Sequence, residues 1–150
     1  MQALSQASEY AIRALTYLAQ HESEGFLLVR RMSAELNVPS AYLTKVLQPF
    51  VARGVLESQR GRGSGFRLVR PPAEVTLYEI IEAHEPVWQT RRCSLGQADC
   101  SDERACPLHE PWKRTSEAFL ARLTHTSLAD VMRFCKRRPA SGYPLPGPRD

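Results

Sequence analysis

Apolar residues at helical spacing mark the first predicted element, between positions 4 and 20 of the chain. The repeating positions are Ala7, Ala11, Ala14, Leu15 and Leu18. A repeat of three or four residues predicts an amphipathic helix, and Ser5 is placed to cap its amino terminus. Glu9 lies off the apolar stripe, four residues before Arg13, and such spacing is typical of an exposed ion pair. A polar break ending in a glycine follows, and we expect a short strand over 26–29.

Two short helices joined by a tight turn come next. The pattern predicts helices over 30–36 and 40–53, separated by Asn37-Val38-Pro39 and closed by Gly54. This arrangement is typical of a helix-turn-helix, whose second helix enters the major groove of DNA. Pro49 removes a backbone donor and is expected to kink the second helix or end its regular part. The side chains predicted to face DNA are Ser40, Ala41, Tyr42, Thr44, Lys45 and Gln48.

Two apolar-rich runs, 55–59 and 66–69, flank a glycine-rich segment that contains Arg60 and Arg62. Strands on either side of such a tip predict a hairpin, and its arginines make it a DNA-binding wing. A nucleotide-binding phosphate loop is the alternative. It is disfavoured because the segment has neither a lysine-serine pair nor a following helix.

The second half of the chain is predicted to be helical. Thr76 and Glu79 form a candidate capping box for a helix to about residue 84, and Thr126 or Ser127 is placed to cap a last short helix. Between them lies the apolar stripe of a longer helix, over about 107–123. We expect this stripe to meet a second copy of the chain, and the alternative is that it packs on the winged domain of its own chain. The members of the stripe are Trp112, Ser116, Phe119, Leu120 and Leu123.

We therefore predict a mainly α fold with a small β-hairpin wing, built as a winged helix-turn-helix plus a long dimerisation helix. The predicted units are a DNA-binding domain over 1–85, a cysteine-rich cluster-binding loop over 86–110, a dimerisation helix and C-terminal helix over 107–138, and a disordered tail over 139–150. The tail prediction rests on its proline and glycine content.

Charge and composition support a DNA-binding role. The chain has 150 residues, of which 43% are hydrophobic, and this is enough for one domain with a core. Its net charge is +4. Eight arginines and lysines but only two glutamates fall between positions 29 and 70, as expected of a polyanion-binding surface. No apolar run is long enough to span a membrane, and no secretory signal pattern is present, so we expect a cytoplasmic protein with reduced thiols.

Cysteines are concentrated in one stretch, where Cys93, Cys100 and Cys106 are spaced C-x6-C-x5-C and His109 follows. Thiolates and a neutral imidazole on one loop predict a metal or iron–sulfur site. A zinc site is one alternative, although zinc sites usually contain a tighter cysteine pair. A thiol redox switch, or a small-molecule sensor with no metal, is another. An enzyme with a cysteine nucleophile and His109 as base is disfavoured, because it leaves the other thiols and the basic wing unexplained.

The chain resembles the IscR/NsrR family of bacterial iron–sulfur transcription regulators over residues 4–134. The matching segments are SEYAIRAL, AYLTKVLQPFVARGVLESQRGRGSGFRL, CPLHEPW and TSLADV. The resemblance implies a homodimer that binds a double-stranded DNA operator, most simply as a repressor. It also implies a cluster, [2Fe–2S] in preference to [4Fe–4S], held by the three loop cysteines near the dimer interface.

Two residues compete for the fourth cluster ligand. His109 stands where IscR-like members use a histidine, and Glu9 stands where NsrR-like members present a carboxylate from the partner subunit. We favour His109, because a residue on the same loop requires less ordering than a distant carboxylate. Its alternative role is to cap the start of the long helix. The first cysteine gap has six residues, whereas the resemblance leads us to expect five.

Overall fold

The computed structural model describes residues 4–86, 93 and 95–146. This part of the chain contains six α-helices and a three-stranded antiparallel sheet, on which α1, α2 and α3 pack. The elements are α1 (Gln6–Gln20), β1 (Leu27–Leu28), α2 (Val29–Leu36), α3 (Ser40–Ala52), β2 (Leu56–Gln59), β3 (Gly65–Leu68), α4 (Leu77–Glu82), α5 (His109–His125) and α6 (Leu128–Arg137). The mainly α fold class with a small wing is confirmed. In the same part of the chain, no helix combines the length and apolarity needed to cross a bilayer.

Helix α1 is the centre of the core. All its residues from Tyr10 to Ala19 are buried, and it packs against α2, α3, α4, α6 and β3. The predicted cap is confirmed, because the Ser5 side chain accepts a hydrogen bond from the Ser8 amide. Helix α1 is therefore the element that contacts the helix-turn-helix, the wing, α4 and the C-terminal helix at once.

The helix-turn-helix is formed by α2 and α3. Asn37 ends α2 in the left-handed conformation, with φ of 53°, and α3 begins directly after Pro39. The expectation that Pro49 ends the regular part of α3 is wrong, since the helix continues to Ala52. The alternative expectation, a kink at Pro49, stays a prediction. The proline removes one backbone donor near the end of the helix, and burial of Phe50 against the core holds the last turn in place.

The wing is the β2–β3 hairpin, with Ser58 opposite Phe66. Strand β1 adds a third strand to it, because Leu27 pairs with Phe66. Gly65 permits this close approach: a Cβ atom there would lie 2.4 Å from the Leu27 carbonyl oxygen. The hairpin is thereby fixed to the strand that leads into α2.

The amino termini of α4 and α6 are joined by a short backbone ladder. The Leu77 amide donates to the Thr126 carbonyl at 2.9 Å, and the Leu128 amide donates to the Val75 carbonyl at 2.9 Å. Helix α6 then packs along α1. The C-terminal helix therefore shares the core of the winged unit, which the proposed division of the chain at residue 85 did not anticipate.

The two predicted caps in this region differ in outcome. Ser127 forms a full capping box with Asp130. Thr76 accepts from the Glu79 amide, but the Glu79 carboxylate binds the guanidinium of Arg70, at 2.7 and 2.9 Å, instead of turning back to the helix start. The nearby charge of Arg70 offers Glu79 a stronger hydrogen bond than a backbone amide does.

The segment 139–146, expected to be disordered, folds back onto α1 instead. Its residues 139–141 form a 3₁₀ turn, Tyr143 packs against the core, and Pro144 is buried. The Pro144 carbonyl accepts a 2.9 Å hydrogen bond from the guanidinium of Arg13. Composition alone predicts disorder here, but the neighbouring helices supply the apolar contacts that the tail lacks. Residues 147–150 lie outside the described residues.

Arg13 connects this segment to the helix-turn-helix. Its buried guanidinium also donates to the Leu36 carbonyl, at 2.7 Å, at the end of α2. We expect Arg13→Met to leave both carbonyls without their donor and to lower the free energy of unfolding by about 2 kcal/mol. Chemical denaturation measures the loss, and hydrogen exchange should show faster exchange in 139–146. Glu9→Gln, which leaves both bonds in place, is the matched control, and an equal loss in that variant would contradict the assignment.

Candidate metal centre and nucleic-acid interface

Cys93 and Cys106 face each other across the loop that precedes α5. Their sulfur atoms lie 3.8 Å apart, with Cys93 buried and Cys106 half-buried. The Cys106 carbonyl accepts a 2.9 Å hydrogen bond from the His109 amide, so the end of the loop is continuous with the first turn of α5. Residues 87–92 and 94 of the predicted cluster-binding loop lie outside the described residues.

Cys100 forms a second pair with His109. The Cys100 sulfur lies 3.3 Å from Nδ1 of the His109 imidazole. His109 is buried although it is the first residue of α5. The other ring nitrogen, Nε2, lies 2.8 Å from Oδ1 of Asp102. His109 is therefore more than a helix-start residue, since both of its nitrogens have partners in the cysteine loop.

Asp102 is anchored in turn by Lys113, whose ammonium donates to both carboxylate oxygens, at 2.8 and 3.1 Å. The hydrogen bond from Lys113, and after it the one from His109, holds the pKa of the Asp102 carboxyl below its usual range. The carboxylate is thus ionised and acts only as an acceptor.

The separations within the two pairs suit ligands that share a metal ion. Two thiolates bound tetrahedrally at about 2.3 Å from one ion lie about 3.8 Å apart, and a thiolate and an imidazole nitrogen about 3.5 Å apart. Among the described residues, Asp102, His109 and Glu110 form a group whose ligand atoms all lie within 4.8 Å of one another. In the same part of the chain, the cysteines do not belong to any group of three or more His, Cys, Asp or Glu side chains gathered this closely. The three cysteines and His109 are therefore arranged as two pairs rather than as one fourfold group.

Burial and hydrogen bonding set the thiols apart chemically. Backbone amides of Gln97 and Leu95, followed by the neighbouring Cys106, lower the pKa of the Cys93 thiol and favour its thiolate. Burial, followed by the charges of Cys93 and Cys106, raises the pKa of Cys100. Cys100 is thus a thiol in the protein without metal, and its S–H can donate to the neighbouring imidazole.

A cavity of about 300 Å³ opens beside the Cys100–His109 pair. It is lined by Cys100, Ser101, Asp102, His109, Lys113, Ser116 and Glu117. The space lies between the cysteine loop and the first two turns of α5, so a group bound there contacts both.

Glu9, the alternative ligand, is on the outer side of α1. Its side chain is 51% exposed, and a carboxylate oxygen lies 3.7 Å from the Arg13 guanidinium, as the i,i+4 spacing predicted. Glu9 is therefore accessible to a neighbouring subunit.

The predicted DNA-contacting residues of α3 share one outer surface. Ser40, Ala41, Thr44, Lys45 and Gln48 are exposed, as are Arg60 and Arg62 in the wing. Tyr42 differs, because it is half-buried and its ring meets that of Tyr10 edge to face at 5.8 Å. The Thr44 hydroxyl donates to the Ser40 carbonyl at 2.9 Å, which orients it along the helix.

Two other arginines near α3 and the wing are already paired within the chain. Arg67 binds Glu57 and lies over the Phe26 ring, while Arg31 pairs with Glu24 and Glu35. Lys45, Arg60 and Arg62 therefore carry the accessible positive charge on α3 and the wing.

The sequence model of the Rrf2 family, described as "Iron-dependent Transcriptional regulator", matches residues 4–133. The chain belongs to the Rrf2 family. Among similar proteins is the HTH-type transcriptional regulator NsrR of Geobacillus kaustophilus, 27% identical over 130 residues that cover 86% of this chain and 88% of NsrR. The solved structure of CymR, the global cysteine regulator of B. subtilis, has a TM-score of 0.71 at 22% identity and covers 89% of this chain and 98% of CymR. That of T. potens IscR has a TM-score of 0.68 at 20% identity, with 97% and 94% covered.

Membership of the Rrf2 family makes the chain a DNA-binding transcriptional regulator rather than an enzyme. The similarity to the solved structures also confirms the winged fold. In helix-turn-helix proteins the second helix enters the major groove, and α3 is the second helix of this motif.

Sequence reasoning missed Asp102 and Lys113. One signal was present in the chain, because Lys113 follows His109 by four residues and so shares its face of α5. Asp102 carried no comparable signal, since only the fold of the loop brings it to the imidazole.

Proposed function

We propose that this Rrf2 regulator binds an iron–sulfur cluster through Cys93, Cys100, Cys106 and His109, and that the cluster controls its affinity for operator DNA. The carrying observation is the arrangement of these ligands in two pairs, 3.8 Å apart in one and 3.3 Å in the other. A [2Fe–2S] cluster needs two ligands at each iron, and cysteine and histidine are both established ligands for such clusters.

The same arrangement weighs against zinc. A structural zinc ion is bound tetrahedrally, which brings all four ligand atoms within about 3.8 Å of one another. The described ligands are spread more widely than that, in two pairs. A binuclear cluster is therefore the better match, and a [4Fe–4S] cluster is the less favoured form.

His109 is the proposed fourth ligand. Its imidazole is buried beside Cys100, whereas Glu9 is exposed on α1 and would have to come from a partner subunit. An imidazole already held in the loop loses little freedom on binding metal.

The protein itself connects the loop to the DNA-binding surface. Asp102 and His109 tie the loop to α5, α5 packs on α4, and α4 packs on α1, which in turn supports α3. When bound, the cluster supplies a centre that oxidants, nitric oxide or iron shortage can alter. A change at the cluster would alter how the loop packs against α5. The relative placement of the α3 helices of two subunits would change as a result.

A homodimer is part of the proposal. Phe119 and Leu120 of α5 are only half-buried in the single chain, and they extend the stripe predicted to meet a partner. Two α3 helices related by a twofold axis match an operator with two half-sites, and we propose repression as the outcome of binding. Contacts to DNA come from Ser40, Ala41, Tyr42, Thr44, Lys45, Gln48, Arg60 and Arg62.

A thiol switch is the second candidate, and one observation favours it. The sulfurs of Cys93 and Cys106 lie 3.8 Å apart, so a small movement would bring them to disulfide distance, and the Cys93 thiolate is favoured. The crystal structure of the oxidized form of Staphylococcus aureus CymR shares the fold, with a TM-score of 0.67.

Protein purified without oxygen tests the proposal. We expect a brown protein with two iron and two sulfide ions per chain, a homodimer on sedimentation, and at least a tenfold difference in operator affinity between the cluster-bound and cluster-free forms. Colourless protein containing zinc would contradict the cluster. A Cys93–Cys106 disulfide after mild oxidation, found by mass spectrometry in protein that takes up no iron, would establish the thiol switch instead. Equal operator binding by both forms would contradict the regulatory role.

A further inference from the structure

We propose that Asp102, held by Lys113, is a positioning residue that fixes the tautomer of His109 and aims its Nδ1 atom at the Cys100 side of the metal centre. The part that concerns metal retention rests on the proposed function. The part that concerns the imidazole does not.

The two nitrogens of His109 have chemically different partners. Nε2 lies 2.8 Å from the Asp102 carboxylate, which can only accept a hydrogen bond, so Nε2 carries the proton. In a neutral imidazole, Nδ1 then presents its lone pair, and this atom lies 3.3 Å from the Cys100 sulfur. One contact therefore selects the atom available to a metal ion.

Burial makes this selection effective. The His109 side chain is 6% exposed, so water has little access to exchange the roles of the two nitrogens. Rotation of the ring would break the contact with Asp102, and the buried Nε2 proton would lose its acceptor.

Lys113 holds the carboxylate in its place. Its ammonium contacts both oxygens of Asp102, and it lies one helical turn after His109 on the same face of α5. Asp102, on the turn at 102–104, is thereby attached to α5 at two successive points. Metal-ligating histidines commonly donate their second N–H to a carboxylate, which orients the ring and strengthens it as a donor.

Three substitutions distinguish a positioning role of Asp102 from a general effect of negative charge in the loop. Asp102→Ala removes the acceptor, Asp102→Asn keeps an acceptor oxygen without the charge, and Asp99→Asn removes one charge from an exposed position of the same loop. Among the residues that the structure describes, Asp99 makes a long 3.8 Å contact with Arg104, and it serves as a matched control.

The first readout is nitrogen NMR of the imidazole in protein without metal. We expect the Nε2–H tautomer in the wild type, in Asp99→Asn and in Asp102→Asn, and a mixture of tautomers in Asp102→Ala. An Nδ1–H tautomer in the wild type, or an unchanged tautomer in Asp102→Ala, would overturn the proposal.

The second readout is retention of iron, after anaerobic reconstitution, against a chelator. We expect Asp102→Ala to retain iron about 10–100-fold less well than the wild type and Asp99→Asn to match the wild type. Equal retention in both variants would overturn the positioning role toward the metal. Wild-type protein that takes up no iron would defeat the proposed function, while the NMR result would still decide the tautomer. Should Asp102→Ala fail to fold, Lys113→Met is expected to give a smaller shift in both readouts, and no shift there would count against the proposal.

Discussion

The Cys106→Ala variant is expected to purify without iron or sulfide and to lose the difference in operator affinity between anaerobic and aerated protein. Cys106 contributes to both halves of the site: its sulfur is 3.8 Å from that of Cys93, and its carbonyl holds the amide of His109. A cluster left with three ligands exposes one iron to solvent, and such a cluster is readily lost. Metal and sulfide analysis with absorption spectroscopy measures the effect.

Cys135→Ala is the control for this experiment. Cys135 is half-buried on α6, and burial raises the pKa of its thiol, so it has little thiolate character. The control variant should contain as much iron as the wild type. Full iron content in Cys106→Ala would contradict the ligand assignment, whereas loss in both variants would indicate general damage to the fold.

The Arg60→Ala/Arg62→Ala double variant is expected to bind operator DNA on the order of 10²–10³-fold more weakly near 0.15 M salt. Both arginines are exposed at the tip of the wing, and a dimer would present four of them. Removing one arginine–phosphate interaction reduces the salt dependence of binding by about 0.9 in log–log slope, so the double variant should have a slope about 3–4 units shallower. Fluorescence anisotropy at several salt concentrations measures both quantities.

Arg137→Ala/Arg138→Ala removes the same number of charges from the exposed end of α6. We expect this control to retain the wild-type slope. A similar loss of affinity in both double variants would assign the effect to net charge and not to interactions made by the wing.

Local sequence was sufficient to predict most helices and the winged architecture. Three features depend only on residues that are close together in the sequence: the apolar repeat of α1 and α3, the turn at Asn37 and the glycines of the wing. Such short-range preferences can be predicted directly from the sequence. The same holds for the Ser127 cap, whose partner Asp130 is three residues away.

Features that depend on distant partners could not be predicted in this way. One expectation was that Pro49 ends the regular part of α3, but the helix continues to Ala52 with Phe50 buried in the core. Glu79 was expected to complete a capping box, but it binds Arg70 in the preceding segment instead. Arg13 and Pro144 are 131 positions apart, and their hydrogen bond contradicts the disorder expected from the composition of the tail.

For the candidate site, the sequence by itself determined which residue types are available: three thiols and an imidazole close together, and arginines in a wing that follows the second helix of the helix-turn-helix. Only the tertiary structure decided how they are grouped, since it pairs Cys93 with Cys106 and Cys100 with His109 and brings Asp102 and Lys113 to the imidazole. The physical reason is that the residue types suited to binding metal or DNA are encoded position by position. The distances and hydrogen-bond partners that select one nitrogen or one sulfur depend on how the loop packs against α5.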